Sequence, residues 1–207
     1  MAIKNIVFDL GGVLIDFNEE RMLRDNIPQE FHKAVSSATF HSEEWKMMDS
    51  GELEVEEAVD KMLEKLPEEI HQSVRSMIVD REVQMPPLKE MTAVIDTLYN
   101  NGYILYVLSN CAKWLHRYLP EKVPSGKKFS GLVVSADYGI IKPDERIYKI
   151  LFDTYNLKAE ECFFIDDSPA NIEAALKLGM SAHCFKDRDY DRLKADMISC
   201  GIRIYEL

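Results

Sequence analysis

Six short stretches of this chain are apolar at nearly every position: NIVFDL (5–10), YILYVLSN (103–110), GLVVSAD (131–137), CFFIDD (162–167), SAHCF (181–185) and IRIYEL (202–207). A strand with one wet face alternates apolar and polar residues. A strand that is apolar throughout is buried on both faces, which is the condition of a parallel sheet held between helical layers. The segments between the runs supply those layers. Met91, Val94, Ile95 and Leu98 follow the i, i+3, i+4, i+7 spacing of a helix face. Ser168-Pro169 reads as an N-cap and first-turn proline, Ile172, Ala175 and Leu176 as the inner stripe that follows, and Gly179 as the stop. The pattern predicts an α/β fold with a doubly wound parallel sheet.

One segment interrupts the alternation. From about residue 18 to 85 no strand pattern appears. Val59, Met62, Leu63 and Leu66 form one helical stripe, Pro67 breaks it, and Ile70, Val74, Met77 and Ile78 form another. Pro86-Pro87 stiffens the exit. The expected organisation is a core of residues 1–17 and 88–207 with a helical cap, 18–87, inserted after the first strand. Hinges are expected at 14–17 and 85–88.

Charge and composition exclude several classes. With 36 acidic and 25 basic residues the net charge is −11, the opposite of the basic footprint that nucleic-acid binding needs. A phosphate substrate remains possible, because a divalent cation can supply local positive charge. No apolar run approaches the roughly 18 residues of a membrane-spanning helix, and the N-terminus lacks the pattern of a secretory signal. Cys111, Cys162, Cys184 and Cys200 show no C-x-x-C spacing, which fits reduced thiols in a cytoplasmic protein. A chain of this kind sets no oligomeric state.

In open α/β sheets, ligands gather beyond the carboxyl ends of the strands. Four polar stations fall there: Asp9, Ser109-Asn110, Lys142 and Asp166-Asp167. Singly, each is an ordinary turn or cap. Together they fit phosphoryl chemistry. A carboxylate that attacks a phosphoryl group needs a metal to offset repulsion, and Mg²⁺ favours one or two carboxylates together with water and substrate phosphate. Asp9 and the Asp166-Asp167 pair are the expected ligands, with the Gly11 carbonyl as a third kind of donor. Lys142 offsets the crowded negative charge and binds phosphate, to which Ser109 and Asn110 donate. Gly11 and Gly12 let the phosphate approach the backbone closely, at a turn expected to need positive φ.

This set resembles the haloacid dehalogenase superfamily over essentially the whole chain. DLGGV at 9–13 matches the first motif of that family, LSN at 108–110 the second, KP at 142–143 the third and DDSPANI at 166–172 the fourth. The insert matches the cap of the subgroup that includes sugar phosphatases, and the chain is most similar to the bacterial glucose-1-phosphate phosphatase-like branch. The resemblance implies a magnesium-dependent phosphatase of small phosphorylated metabolites, sugar phosphates among them, with a phospho-aspartate on Asp9. It also implies that Asp167 is the direct metal ligand and Asp166 an outer or alternating partner, a supporting role for Asn171, and an acid near the cap hinge in Asp16.

One position departs from the pattern. Most phosphatases of the superfamily carry a second Asp two residues after the nucleophile as general acid and base, and here Gly11 stands in its place. Such catalysis contributes about 10²–10⁴-fold. Three alternatives follow: a substrate with an undemanding leaving group, a proton from elsewhere, or a weak, largely ligand-binding protein. Metal-independent dehalogenases also lack that Asp, but they do not need an acidic pair. A response-regulator receiver has its acidic pair and acceptor Asp in the reverse order. The five histidines (His32, His41, His71, His116, His183) have no ligand spacing and are expected at the surface or its boundary. Trp45 and Trp114 are expected in packing, and Glu52 and Glu54 in a solvated helical turn.

Overall fold

The computed structural model describes residues 2–80, 84–123 and 125–204. Five strands form one parallel sheet: β1 (Asn5–Phe8), β2 (Ile104–Ser109), β3 (Phe129–Val134), β4 (Cys162–Asp166) and β5 (Ser181–Cys184), in the order β3-β2-β1-β4-β5. The chain runs outward from β1 in one direction and then returns to its other side, so the strand order reverses next to β1. Such a switch point opens a crevice at the carboxyl edge. Alternate residues of β1 feed opposite cores: Ile6 and Phe8 pack with Leu105, Val107, Phe163 and Ile165, while Val7 packs with Tyr106, Leu108 and Phe164. Each large side chain so buried contributes about 1.5–3 kcal/mol.

The sixth run forms no strand: 202–204 are irregular, and 205–207 lie outside the described residues. Ile202 and Ile204 are nevertheless buried, so the apolar pattern reported burial rather than sheet.

Among the described residues, the insert after β1 carries five α-helices: α1 (Glu19–Asn26), α2 (His32–Ala38), α3 (Glu43–Ser50), α4 (Val55–Leu63) and α5 (His71–Val79). Their ends have local causes. The Asn18 side chain accepts from the Arg21 N–H, and Ser42 from the Trp45 N–H. Gly51 closes α3 with φ +77°, and its backbone lies against Ala136, where a Cβ would meet the Ala136 carbonyl oxygen at 2.4 Å. Val59, Met62, Leu63, Leu66, Ile70, Val74, Met77 and Ile78 are all buried.

The core helices are α6 (Lys89–Asn100), α7 (Leu115–Lys122), α8 (Glu145–Tyr155), α9 (Pro169–Lys177) and α10 (Tyr190–Ser199). In α6, Met91, Val94, Ile95 and Leu98 face inward. In α9, Ile172 and Ala175 are buried as the spacing predicts, but Leu176 is 53% exposed and Asn171 and Ala174 are buried in its place. Ser168 is the N-cap and Pro169 the first-turn proline as expected, but the Ser168 hydroxyl makes no capping bond and its N–H donates to Asp166 Oδ1 at 2.8 Å. His183 departs from the expected surface role. It is 3% exposed and its Nδ1 lies 2.7 Å from Asp196 Oδ2.

The segments entering and leaving the insert run side by side. Leu88 N–H donates to the Leu14 carbonyl at 2.9 Å and Asp16 N–H to the Pro86 carbonyl at 2.7 Å, with Ile15 and Pro87 bridged antiparallel. No described helix is long and apolar enough to cross a membrane.

Candidate active site

Asp9 follows β1 directly. Phe8 is level with Val107 of β2 and Ile165 of β4, so the residues that end these three strands emerge together. The Asp9 N–H still donates to the Ile165 carbonyl at 2.8 Å. The chain then coils tightly, with the Leu10 carbonyl accepting from Leu14 and Ile15 at 2.8 and 3.0 Å.

Two adjacent glycines in this coil have different reasons to be there. Gly12 has φ +70°, and a Cβ on it would meet Asp167 Oδ2 at 2.4 Å and Cγ at 2.9 Å. Gly11 has no positive φ, and a Cβ there would find only Phe17 at an ordinary 3.6 Å. The positive φ expected of the turn therefore belongs to Gly12 alone.

Lys142 is the hub. Its side chain is 1% exposed, and Nζ donates to Asp9 Oδ1 at 2.7 Å, Asp166 Oδ2 at 2.7 Å and the Leu108 carbonyl at 2.9 Å. Burial alone would lower the ammonium's pKa, but the two carboxylates more than offset this and raise it. Asp166 is fully buried. Besides Lys142 and the Ser168 N–H, it accepts from Asn171 Nδ2 at 2.9 and 3.0 Å. Asn171 and Lys142 thus hold Asp166 from two sides.

Asn110 sits where its amide grips the Lys142 backbone. Oδ1 accepts from the Lys142 N–H at 2.7 Å, and Nδ2 donates to the Lys142 carbonyl at 3.0 Å. Its side chain fixes the lysine and also lines the cavity, with one of the two Nδ2 hydrogens given to the Lys142 carbonyl. Asp16 lies at the edge, 3.2 Å from Arg21 and 2.6 Å from Arg188.

Oxygen atoms of Asp9, Asp166 and Asp167 lie within 4.8 Å of one another. Burial pushes the Asp9 carboxyl up to about 7, with repulsion from Asp166 and Asp167 adding to it and Lys142 opposing. Burial, then repulsion from Asp166, also raises Asp167. Three carboxyl groups crowd around one ammonium, an excess of negative charge that raises both Asp9 and Asp167. A hard divalent cation fits that donor set and that charge, and Gly12 keeps Asp167 close enough to share it.

Above the carboxylates is a cavity of about 250 Å³ that Asp9, Ser109 and Asp167 floor, and that Phe17, Trp45, Met48, Asp49, Ile78, Met85 and Trp114 wall. Trp45 and Trp114 therefore do more than pack, whereas Glu52 accepts from the Ser50 hydroxyl at 3.0 Å. Ser135, at the carboxyl end of β3, ties insert to core: its Oγ donates to the Asp49 carbonyl at 2.5 Å and accepts from the Cys111 N–H at 2.9 Å. It occupies the same kind of strand-end position as Ser109, so the positional rule could have found it.

A model of the haloacid dehalogenase-like hydrolases matches residues 3–179. The chain is 26% identical to a sesquiterpene phosphatase from Aspergillus oryzae, over 86% of this chain and 87% of that one. It is also 26% identical to a flavin mononucleotide hydrolase from Arabidopsis thaliana, over 56% of this chain, where the match spans less than half of the relative's length (46%). A HAD family enzyme from Bacteroides thetaiotaomicron, solved in complex with magnesium and inorganic phosphate, superposes with a TM-score of 0.64 at 22% identity. That superposition covers 88% of this chain and 93% of the other.

Proposed function

The chain belongs to the haloacid dehalogenase-like hydrolase family, and from that membership we propose that it hydrolyses a small phosphomonoester through a phospho-aspartate on Asp9. The observation that carries the reading is the meeting of Asp9, Asp166 and Asp167 around one buried lysine at the switch point of the sheet. Asp9 attacks phosphorus, the bond to the leaving-group oxygen breaks, and water then cleaves the acyl phosphate to restore the carboxylate. Lys142 holds Asp9 in position and adds positive charge beside the phosphoryl oxygens. Ser109 donates to the phosphate, as do Asn110 and the Gly11 backbone N–H, whereas the Gly12 N–H, also expected to do so, already donates to the Ile15 carbonyl at 2.9 Å.

Asp9, Asp167 and the Gly11 carbonyl would hold Mg²⁺, with Asp166 behind them. The ion supplies the charge that lets a carboxylate and a phosphate dianion meet. Asn171, Asn110 (besides its bond to phosphate) and Asp16 are positioning residues: they fix Asp166, Lys142 and the entry to the insert respectively. Residues 18–87 act as the cap that shields the transfer from bulk water. The relatives' substrates range from a sesquiterpene phosphate to flavin mononucleotide, so the family match supports the reaction and leaves the substrate to the cavity.

The test is release of inorganic phosphate from a panel of phosphomonoesters, with Mg²⁺ and with chelator. Release should require the metal, and Asp9→Asn should abolish it along with any trapped phosphoenzyme. Turnover that survives chelation, or ligand binding with no turnover of any ester, would overturn the proposal.

A further inference from the structure

We propose that the leaving group this site accepts is an uncharged aromatic ring system, so that the substrates are aryl or arylalkyl phosphomonoesters rather than phosphorylated polyols. The inference rests on the phosphatase reading above, and two independent observations converge on it.

The first is the wall of the cavity. The groups that suit a phosphate lie on the floor, and above them Phe17, Trp45, Met48, Ile78, Met85 and Trp114 close in from both core and insert. Met48, Ile78 and Met85 are at most 5% exposed. Phe17 and Trp45 are fixed in a three-ring cluster with Phe40, at centroid distances of 5.1 to 6.0 Å, and Trp114 is set edge-on to Tyr118 at 5.0 Å. Held rings of this kind make a preformed slot for a flat apolar group.

A sugar or sugar alcohol would bring several hydroxyls into that slot. Each one buried without a partner costs about 1–3 kcal/mol, roughly a tenfold to hundredfold loss of binding. Among the described residues of the upper wall, Asp49 of α3 is the one carboxylate. It repels a second anionic group on the substrate, which favours a neutral leaving group.

The second observation is Gly11, where no side chain is present to protonate the departing oxygen, although the turn leaves room for one. In a loose transition state much charge gathers on that oxygen. An aryl oxide carries this charge on a ring and departs as the anion, taking the electron pair of the P–O bond and a proton afterwards from water. The water that cleaves the phospho-aspartate gives up a proton in turn, so the overall reaction is ordinary hydrolysis. The wall selects ring-bearing groups, aryl and arylalkyl alike, and the vacant acid position favours the aryl esters among them.

The experiment separates ring contact from leaving-group acidity. Phenyl phosphate, 2-phenylethyl phosphate, ribitol 5-phosphate, glycerol 3-phosphate and acetyl phosphate are compared by kcat/KM in wild type, Trp45→Ala and Trp114→Ala. The expected order is phenyl above phenylethyl, with phenylethyl at least tenfold above the two polyol esters although all three leave as primary alkoxides. Each tryptophan variant should lower the two ring-bearing esters at least tenfold more than it lowers acetyl phosphate. Polyol esters equal to or better than phenylethyl phosphate, or tryptophan variants that lower every ester alike, would overturn the proposal.

Binding is measured in parallel through tryptophan fluorescence, with benzylphosphonate against a glycerol-like phosphonate. If no ester is hydrolysed yet benzylphosphonate binds at least tenfold more tightly, the pocket inference stands and the phosphatase reading falls. Equal binding of the two overturns the pocket inference whatever the turnover.

Discussion

Replacing Gly12 with alanine should separate stability from metal use. Alanine at φ +70° enters a left-handed conformation that costs an L-residue about 1–2 kcal/mol. The new methyl carbon would also stand 2.4 Å from Asp167 Oδ2 and 2.9 Å from its Cγ. Ordinary contact begins near 3.4 Å, so the carboxylate has to retreat by roughly 1 Å. Asp167 makes that retreat cheaply, since it is a side chain at the rim of a cavity, and the stability loss stays close to the backbone cost alone. Catalysis cannot absorb the same movement, because a 1 Å misplacement of a catalytic group can cost about 10²-fold. Gly12→Ala should therefore lose about 1–2 kcal/mol in urea unfolding while kcat falls about 100-fold, with the Mg²⁺ activation constant shifted to weaker binding. Gly11→Ala is the control: with no positive φ and the new carbon 3.6 Å from Phe17, it should keep stability and metal activation. A Gly12→Ala enzyme with unchanged magnesium titration and turnover would refute the role given to that contact.

The other expectations concern the same centre. Asp167→Asn should weaken Mg²⁺ activation with little change in unfolding, whereas Asp166→Asn should chiefly destabilise the fold, since Asp166 already binds Lys142, Asn171 and the Ser168 N–H; titration and denaturation of both variants check the split, and a reversed pattern would exchange the roles. Lys142→Met leaves Asp9 and Asp166 buried without their counter-charge, so urea unfolding should show a loss of about 3–5 kcal/mol at neutral pH. In the metal-free protein Asp9 holds its proton up to about pH 7, while the unfolded carboxyl loses it near pH 4. Stability without metal should therefore fall as pH rises between those values, and thermal melts at pH 8 should recover with Mg²⁺; a metal-free curve flat across that window would exclude the shift. Gly11→Asp should raise kcat/KM for alkyl esters by up to about 10²-fold and aryl esters much less, and equal gains would place the proton donor elsewhere.

The sheet and the chemistry were legible because both leave marks in single residues. Apolar runs ending in Asp, Ser or Asn located β1, β2 and β4, and the switch-point rule gathered Asp9, Ser109, Lys142 and Asp166-Asp167 into one place. What the sequence concealed was direction within the cluster. Asp166 and Asp167 are neighbours of equal charge, yet one is fixed by four hydrogen bonds and the other lines the cavity. Asn110 carries donors that suit phosphate, and nothing in the letters showed that its amide also grips the Lys142 backbone. The two glycines of the turn look alike as letters and differ in φ. Leu176 fitted the helical period and still faces water, because α9 turns Asn171 inward to reach Asp166. The walls were harder still. Trp45, Met48 and Ile78 reach the cavity from the insert and Trp114 from the core, and no spacing in the sequence relates them.

The paired segments at the mouth of the insert have a consequence for how such a protein diversifies. The chain leaves the core and comes back to it one hydrogen bond away, Leu14 to Leu88. A graft with ends this close strains nothing beneath it: the unit between them can be lengthened, exchanged or trimmed while β1 and β2 remain neighbours in register. The reacting carboxylates belong to the stock and much of the surface that judges the substrate belongs to the scion. New tastes can therefore be acquired by grafting, without reopening the chemistry.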